Sequence, residues 1–465
     1  MAQVLLKRVT WRTVTLIACE LLLLVTAVAV AAYIRIALIG GAPFALAAVL
    51  PLALLIALVV QVCLYYTDLY DLRILNDRRE LTVRLLQAVG SAALVLALLY
   101  YWLPHLVIGR GVFLIASALI LGVTAGWRYV FGWLSVAAAP AERLLLVGTS
   151  AASVELAREL YERKRELGVE IVGFVDVEAE HVGAPVLNPG VIGTVADIPS
   201  LVHAHDVDRV VVSLLDARGK LDMQALLDMK LNDGVRFDHL ASVYEEYTGK
   251  IAVENLRPSW LIFSSGFRSG RLLLTAKRLA DVLLAALALV LLTPVLLAVA
   301  AAVKLSSAGP VLYRQARVGQ QGKVFTLQKF RSMREHAEAS TGAVWAQPGD
   351  KRVTSVGRFL RSTRLDELPQ LWNVLVGEMS LVGPRPERPE FVADLTRQIP
   401  FYGQRHVLKP GLTGWAQVRY AYGWSVADAM EKLQYDLFYI KHLSLALDLY
   451  ILLETTKTVF LRRGS

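Results

Sequence analysis

The stretch DVLLAALALVLLTPVLLAVAAAVKL (281–305) decides how the chain is arranged. It is long enough to cross a bilayer as a helix, for which ~20 apolar residues suffice. Its flanks oppose crossing. Arg268, Arg271, Lys277 and Arg278 precede it, and Lys304, Arg314 and Arg317 follow. Strong positive charge at both ends favours keeping both ends cytoplasmic. Pro294 sits mid-run, where it removes one helical hydrogen bond and kinks the chain, and Thr293 offers a hydroxyl to a freed carbonyl. These residues predict a helix that enters one leaflet, bends and returns. The competing reading is a fifth span, which would place 310–465 outside the cell.

Upstream lie four more apolar runs, at 14–34, 44–66, 85–103 and 111–127, each of spanning length. A signal peptide at the first is disfavoured, because its apolar part is too long and three more runs follow. Glu20 lies about one turn inside the first run. It reads as reaching the interface or pairing with a neighbouring helix, the alternative being a functional intramembrane carboxylate. Lys7, Arg8 and Arg12 precede the first run; Arg73, Arg78, Arg79 and Arg84 lie around the second link; Arg128 and Arg143 follow the fourth run. The other two links hold only Arg35 and Arg110. The basic side faces the cytoplasm, so residues beyond 140 start there.

Composition agrees. The 465 residues are 55% hydrophobic and 19% charged, with a net charge of +9. A disordered, collagenous or fully soluble protein is excluded. A basic balance on an apolar chain suggests an anionic partner: a membrane surface, a phosphate substrate or nucleic acid. The arginines sit beside carboxylates and not in a basic–aromatic stripe, which argues against nucleic acid. Cys19 and Cys63 both lie in apolar runs, which argues against a disulfide framework and against a cysteine metal site.

From Arg143 the pattern changes. RLLLVG (143–148), VEIVGFVD (169–176), DRVVVSLL (208–215) and GVRFDHL (234–240) read as strands, with a helix at 150–168. Such alternation predicts a parallel, doubly wound, Rossmann-like sheet. Of a dinucleotide fingerprint only Gly148 survives in GTSAAS (148–153), although Asp176 stands where a ribose hydroxyl is bound. A structural or regulatory domain and a nucleotide-binding one both remain open. His203 and His205 have no other ligands clustered nearby and read as surface histidines.

The chemistry concentrates at 310–420. GPVLYRQARVGQQGKVFTLQKFRSM (309–333) is basic and turn-rich and ends in Lys329, Phe330 and Arg331. VGRFLRSTRLDELPQLWNVLVGEMSLVGPRPE (356–387) places Arg358, Arg361 and Arg364 three apart, directly before Asp366 and Glu367, and GPRP (383–386) fixes a loop around Arg385. Arginine forks bind phosphate oxygens bidentately. A divalent metal can bridge carboxylates and a diphosphate. An ionised aspartate needs no base to become a nucleophile. The bland alternative is a solvated ion-pair face.

FRSM, RLDELPQLWNVLVGEMSLVGPRPE and KPGLTGWAQV (409–418) resemble the hallmark motifs of the bacterial sugar transferases, the monotopic phosphoglycosyl transferases. AKRLADV (276–282) with Thr293-Pro294 resembles that family's membrane-inserting segment, which usually carries Ser-Pro. The spans and the α/β middle resemble the N-terminal extension of large exopolysaccharide-type members, and 244–267 the linker of one exopolysaccharide subgroup.

The resemblance implies four units: a bundle of four membrane spans (1–135), a Rossmann-like domain (141–265), a re-entrant membrane helix (272–308) and a mixed α/β catalytic domain (309–465). It implies transfer of a sugar 1-phosphate, a hexose being expected and amino sugars remaining open, from a UDP-sugar to undecaprenyl phosphate. UMP leaves, at the cytoplasmic face of the bacterial inner membrane. Asp366 then corresponds to the covalent nucleophile and Glu367 to its partner carboxylate, the two holding Mg²⁺. Arg385 corresponds to a loop arginine near the diphosphate, with Arg361, Arg364, Lys329 and Arg331 lining the substrate. Lys277, Arg278, Asp281, Thr293 and Pro294 correspond to the membrane-inserting helix. The competing function is a catalytically inactive scaffold of polysaccharide assembly. A homo-oligomer is left open. The apolar segment 443–463 reads as a membrane-proximal amphipathic helix, with a buried helix as the alternative.

Overall fold

The computed structural model describes residues 11–70, 78–137, 142–162, 164–213, 222–253, 266–267, 270–334, 352–420, 423 and 425–460. The chain divides into two compact units, Met1–His239 and Leu240–Ser465. The sequence pattern carries the middle domain to 265, and of that span residues 254–265 lie outside the described part.

Four helices of the first unit are long and apolar enough to cross a membrane. They are α1 (Trp11–Tyr33, continued by a π-helical turn at Ile34–Ile39), α2 (Leu46–Tyr66), α3 (Arg78–Trp102) and α4 (Arg110–Ala137). Their shared core is rich in small side chains, among them Ala27, Ala31, Ala53, Ala57, Ala88 and Ala116, which let helix backbones approach closely. Leu22, Leu54, Leu58, Leu94, Leu98 and Leu114 point outward.

Glu20 pairs with a neighbouring helix, as its position suggested. Arg128 Nη2 donates to Glu20 Oε2 at 2.9 Å, and Nε lies 2.7 Å from Oε1. The guanidinium also donates to the Leu69 carbonyl and lies 5.3 Å from the Tyr70 ring centre. Arg128 is therefore no loop charge: α4 continues to Ala137 and buries it.

The second half of this unit is a parallel five-stranded sheet in the order β3-β2-β1-β4-β5. Its strands are β1 (Glu142–Val147), β2 (Val169–Asp176), β3 (Val191–Thr194), β4 (Arg209–Val212) and β5 (Arg236–His239). The helices between them include α5 (Ala151–Glu162), α6 (Ile198–Ala204) and α7 (Met223–Asn232). Leu144–Val147 of the central strand are fully buried, which is why that run is uniformly apolar.

The second unit opens with α8 (Leu240–Thr248). This helix packs into the C-terminal fold: Lys441 Nζ donates to Glu245 Oε2 at 2.6 Å, and Trp415 Nε1 to the Gly249 carbonyl at 2.9 Å. The long apolar run forms two helices, α9 (Arg271–Leu291) and α10 (Thr293–Ser306), bent by 63°. Pro294 lies in the first turn of α10, where its missing N–H is tolerated. Thr293 Oγ1 donates to the Leu289 carbonyl at 2.7 Å. Leu283, Leu287, Val290 and Leu291 are exposed, while Val299 and Val303 of α10 pack on Phe330 and Leu360.

The antiparallel hairpin β6 (Leu312–Val318) and β7 (Val324–Phe330) follows, then α11 (Ser355–Ser362), α12 (Gln370–Val376), β8 (Ser380–Val382) and α13 (Pro389–Gln398). β9 (Gly411–Thr413) pairs in parallel with β8, and α14 (Trp415–Arg419), α15 (Val426–Lys441) and α16 (Leu445–Phe460) complete the unit. The crossing of β8 and β9 leaves no room for side chains. A Cβ added to Gly414 would meet the Gly383 carbonyl oxygen at 2.2 Å. α16 buries Leu447 and Ile451 and leaves Leu445, Leu449 and Leu453 exposed, so it is both packed and amphipathic.

Candidate active site

Asp366 and Glu367 sit in a single 3₁₀ turn, Leu365–Glu367. Helix α11 ends at Ser362, and Arg364 adopts a left-handed backbone (φ 58°), turning the chain so that both carboxylates face inward. The arginine row therefore does not continue along one helix. Arg358 is exposed on α11, while Arg364 lies past its end. α12 is locked against β7 by Asn373, which is fully buried. Its Nδ2 donates to the Thr326 carbonyl at 2.8 Å, and its Oδ1 accepts from the Gln328 N–H at 3.1 Å.

Glu367 gathers the cations. Arg385 Nη2 donates to Oε1 at 2.7 Å and Lys329 Nζ to the same oxygen at 2.9 Å. Arg364 Nη1 stands 3.9 Å from Oε2. Burial alone would raise this carboxyl, but Arg385, Lys329 and Arg364 outweigh it and hold it well below the usual range. Asp366 behaves oppositely. Burial first, and the Glu367 charge second, push it up to about 6 against the pull of Lys329, Arg361 and Arg364. Among the described residues none donates a hydrogen bond to the Asp366 carboxylate. Two adjacent carboxylates thus divide into one fixed anion and one uncommitted group.

Arg361 Nε donates to Ser332 Oγ at 2.9 Å, setting α11 beside the end of β7. Gly357 permits that contact, since a Cβ there would fall 1.9 Å from the Ser332 carbonyl oxygen. Arg331 is expected at the substrate, but its Nη2 donates to the Ser307 carbonyl at 2.8 Å and to Ser307 Oγ at 3.1 Å. The guanidinium closes the chain behind α10 instead. Strand alternation explains this: Lys329 and Arg331 are two apart, but Phe330 ends β7 and the pleat no longer holds.

Lys277, Arg278 and Asp281 turn inward. Lys277 Nζ donates to Asp448 Oδ2 at 2.7 Å, and Ser380 Oγ to Asp281 Oδ2 at 2.8 Å. Arg278 donates to the Val374 and Leu375 carbonyls at 2.6 and 2.9 Å, capping α12. Behind the GPRP loop, Arg405 Nη2 donates to the Arg385 carbonyl at 3.0 Å. No local pattern announces Arg405; its one signal is a charged partner, Asp436, in the apolar stretch of α15.

A bacterial sugar transferase family model matches residues 272–462. An exopolysaccharide production protein PSS of Rhizobium leguminosarum bv. phaseoli is 41% identical over 187 residues, which are 39% of this chain and 94% of that protein. The chain belongs to the bacterial sugar transferase family. Two further relatives are longer than that protein. A UDP-N-acetylgalactosamine-undecaprenyl-phosphate N-acetylgalactosaminephosphotransferase of Aeromonas hydrophila is 42% identical over 49% of this chain and 53% of its own length. A UDP-glucose:undecaprenyl-phosphate glucose-1-phosphate transferase of Xanthomonas campestris pv. campestris is 44% identical over 46% of this chain and 43% of its own. The chain thus spans about half the length of these two sugar transferases.

A CoA-binding domain model matches residues 66–236, covering α3, α4 and most of the parallel sheet. At the carboxyl end of that sheet, Asp176 is already engaged. It accepts from Thr149 Oγ1 at 2.9 Å and from the Val177 N–H at 2.6 Å, and lies 3.0 Å from His181 Nδ1.

Proposed function

We propose that this sugar transferase moves a sugar 1-phosphate from a UDP-sugar to undecaprenyl phosphate through a covalent intermediate on Asp366. The carrying observation is the division of labour between the carboxylates. Glu367 is held charged by Arg385 and Lys329, while Asp366 accepts no hydrogen bond from the described residues. An Asp366 oxygen attacks the sugar-bearing phosphorus, the bond to the bridging oxygen breaks, and UMP departs with that electron pair. The acceptor phosphate then attacks the same phosphorus and returns Asp366 to its carboxylate. One phosphoanhydride replaces another, so the sequence needs little net driving force.

Mg²⁺ suits this donor set. It is commonly held by one or two carboxylates together with substrate phosphates. Among the described residues no third carboxylate, histidine or cysteine converges here, so the donor's diphosphate would complete the shell. When bound, the ion supplies charge neutralisation at the diphosphate. Asp366 and Glu367 Oε2 would hold it, while Arg361 and Arg364 orient phosphate oxygens.

In the same reading α1–α4 span the inner membrane, and the sheet is a Rossmann-like domain on the cytoplasmic side. Outward leucines over an alanine-rich core support an apolar solvent around the bundle. The α9–α10 pair is a re-entrant helix, supported by its 63° bend and basic flanks. The product initiates an exopolysaccharide or related glycan.

The test uses membranes with undecaprenyl phosphate and a panel of UDP-glucose, UDP-galactose, UDP-N-acetylglucosamine and UDP-N-acetylgalactosamine. Without the lipid, up to one UMP per site and a sugar-phosphate adduct on Asp366 are expected. Sequential kinetics with no adduct would overturn the covalent step.

A further inference from the structure

We infer that Arg405 and Asp436 are positioning residues for this reaction: they hold the backbone of the GPRP loop so that the Arg385 guanidinium reaches Glu367. The inference rests on the reading of Asp366 as nucleophile and of Arg385 as part of its site.

Arg405 is 5% exposed and Asp436 1%. Arg405 Nε and Nη2 donate to Asp436 Oδ2 at 3.1 and 2.8 Å, Nη1 donates to Tyr402 OH at 2.6 Å, and Nη2 donates also to the Arg385 carbonyl at 3.0 Å. Asp436 lies on α15 between Leu433 and Leu437, which are fully buried. Burying two charges carries a desolvation cost, and an apolar pair of similar volume is often as stable or more so. Stability therefore gives no reason for an ion pair here. What an apolar pair cannot do is donate to a backbone carbonyl.

That carbonyl belongs to the residue whose side chain matters. The loop residues on either side are already tied: the Gly383 N–H donates to the Thr413 carbonyl and the Gly411 N–H to the Pro384 carbonyl, both at 2.9 Å, and Arg317 Nη1 donates to the Pro386 carbonyl at 3.0 Å. Arg405 holds the carbonyl between them, and from there the Arg385 side chain runs to Glu367, beside the nucleophile. A lysine at 405 would keep the charge but lose the planar fork that spans Asp436, Tyr402 and the loop.

The experiment uses the full chain in membranes and the UDP-sugar of the panel that wild type turns over fastest, without lipid acceptor. First-turnover UMP release and melting temperature are read together. Arg405→Lys should slow release about 100-fold, the cost of misplacing a site group by ~1 Å. The double variant Arg405→Met with Asp436→Leu should melt at or above wild type and still release UMP about 100-fold slower. Recovery of the wild-type rate by that apolar pair would make the ion pair merely structural and overturn the inference. A second readout does not depend on the double variant folding. In an Arg385→Ala background, Arg405→Lys should cost less than about threefold more, because the group it positions is gone. An undiminished further loss overturns the inference alone. No UMP from wild type, or wild-type release from Asp366→Asn, overturns the nucleophile reading and the inference with it.

Discussion

Arg385 Nη2 reaches Glu367 Oε1 at 2.7 Å from a loop 18 residues further along the chain. The contact falls on the partner carboxylate and not on Asp366. Arg385 thus fixes the Glu367 charge beside Asp366 without occupying an Asp366 oxygen, and that neighbouring charge raises the Asp366 carboxyl.

Replacing the two carboxylates should therefore give unequal results. Asp366→Asn keeps the shape and removes the anion, so UMP release should fall by several orders of magnitude. Glu367→Gln should also be severe but leave some covalent labelling. Mass spectrometry of protein trapped with donor and Mg²⁺ checks both, and equal labelling of wild type and Asp366→Asn would place the covalent bond elsewhere.

The elevated Asp366 value sets a pH dependence. In the metal-free protein the group is protonated below about pH 6, and bound Mg²⁺ would pull that value down, so acceptor-free UMP release should decline with falling pH from a midpoint at or below about 6. Stability runs the other way. The folded value lies above the unfolded value of about 3.9, so this group's contribution is complete below that value and is lost as pH rises through about 6. Asp366→Asn should accordingly melt higher than wild type at pH 8, with the gap closing toward pH 5. A lower melting temperature at pH 8 would contradict the burial argument.

The bend between α9 and α10 gives a topological test. A reporter after Ser465 should read cytoplasmic in wild type. Pro294→Leu restores the missing N–H and should straighten the pair, letting a fraction of molecules cross. An unchanged reporter in the variant would mean that the basic flanks alone fix the return.

Helix α8 predicts where the chain can be cut. A fragment from Leu240 keeps Glu245 with Lys441 and the Gly249 carbonyl with Trp415. It should fold, insert and release UMP. A fragment from Gly266 leaves Lys441 and the buried Trp415 indole without these partners, at a cost of about 1–3 kcal/mol for each buried group. Thermal melts of the two fragments compare them directly.

The apolar runs, the sheet strands other than β3, and the Asp366–Glu367–Arg385 set were legible in the sequence, because each rests on local period or on a contiguous motif. β3 was not: Val191–Thr194 is four residues long, contains Gly193, and follows a stretch rich in turn formers. Arg128 read as a loop charge because hydropathy falls before the helix ends. Arg331 read as a substrate ligand because sequence proximity to Lys329 carries no direction once the strand stops. Arg405 and Asp436 are 31 residues apart, and a pair at that separation leaves no periodic trace.

The Glu20–Arg128 pair bears on biogenesis. Its members are 108 residues apart, so in the proposed topology the carboxylate leaves the ribosome three hydrophobic segments before its counter-ion exists. A half-made chain would hold an unneutralised acid against lipid, a state that insertion machinery must shelter or that protonation must relieve. The ion pair itself can close only after the fourth helix arrives, which makes it a late step in assembly of the bundle.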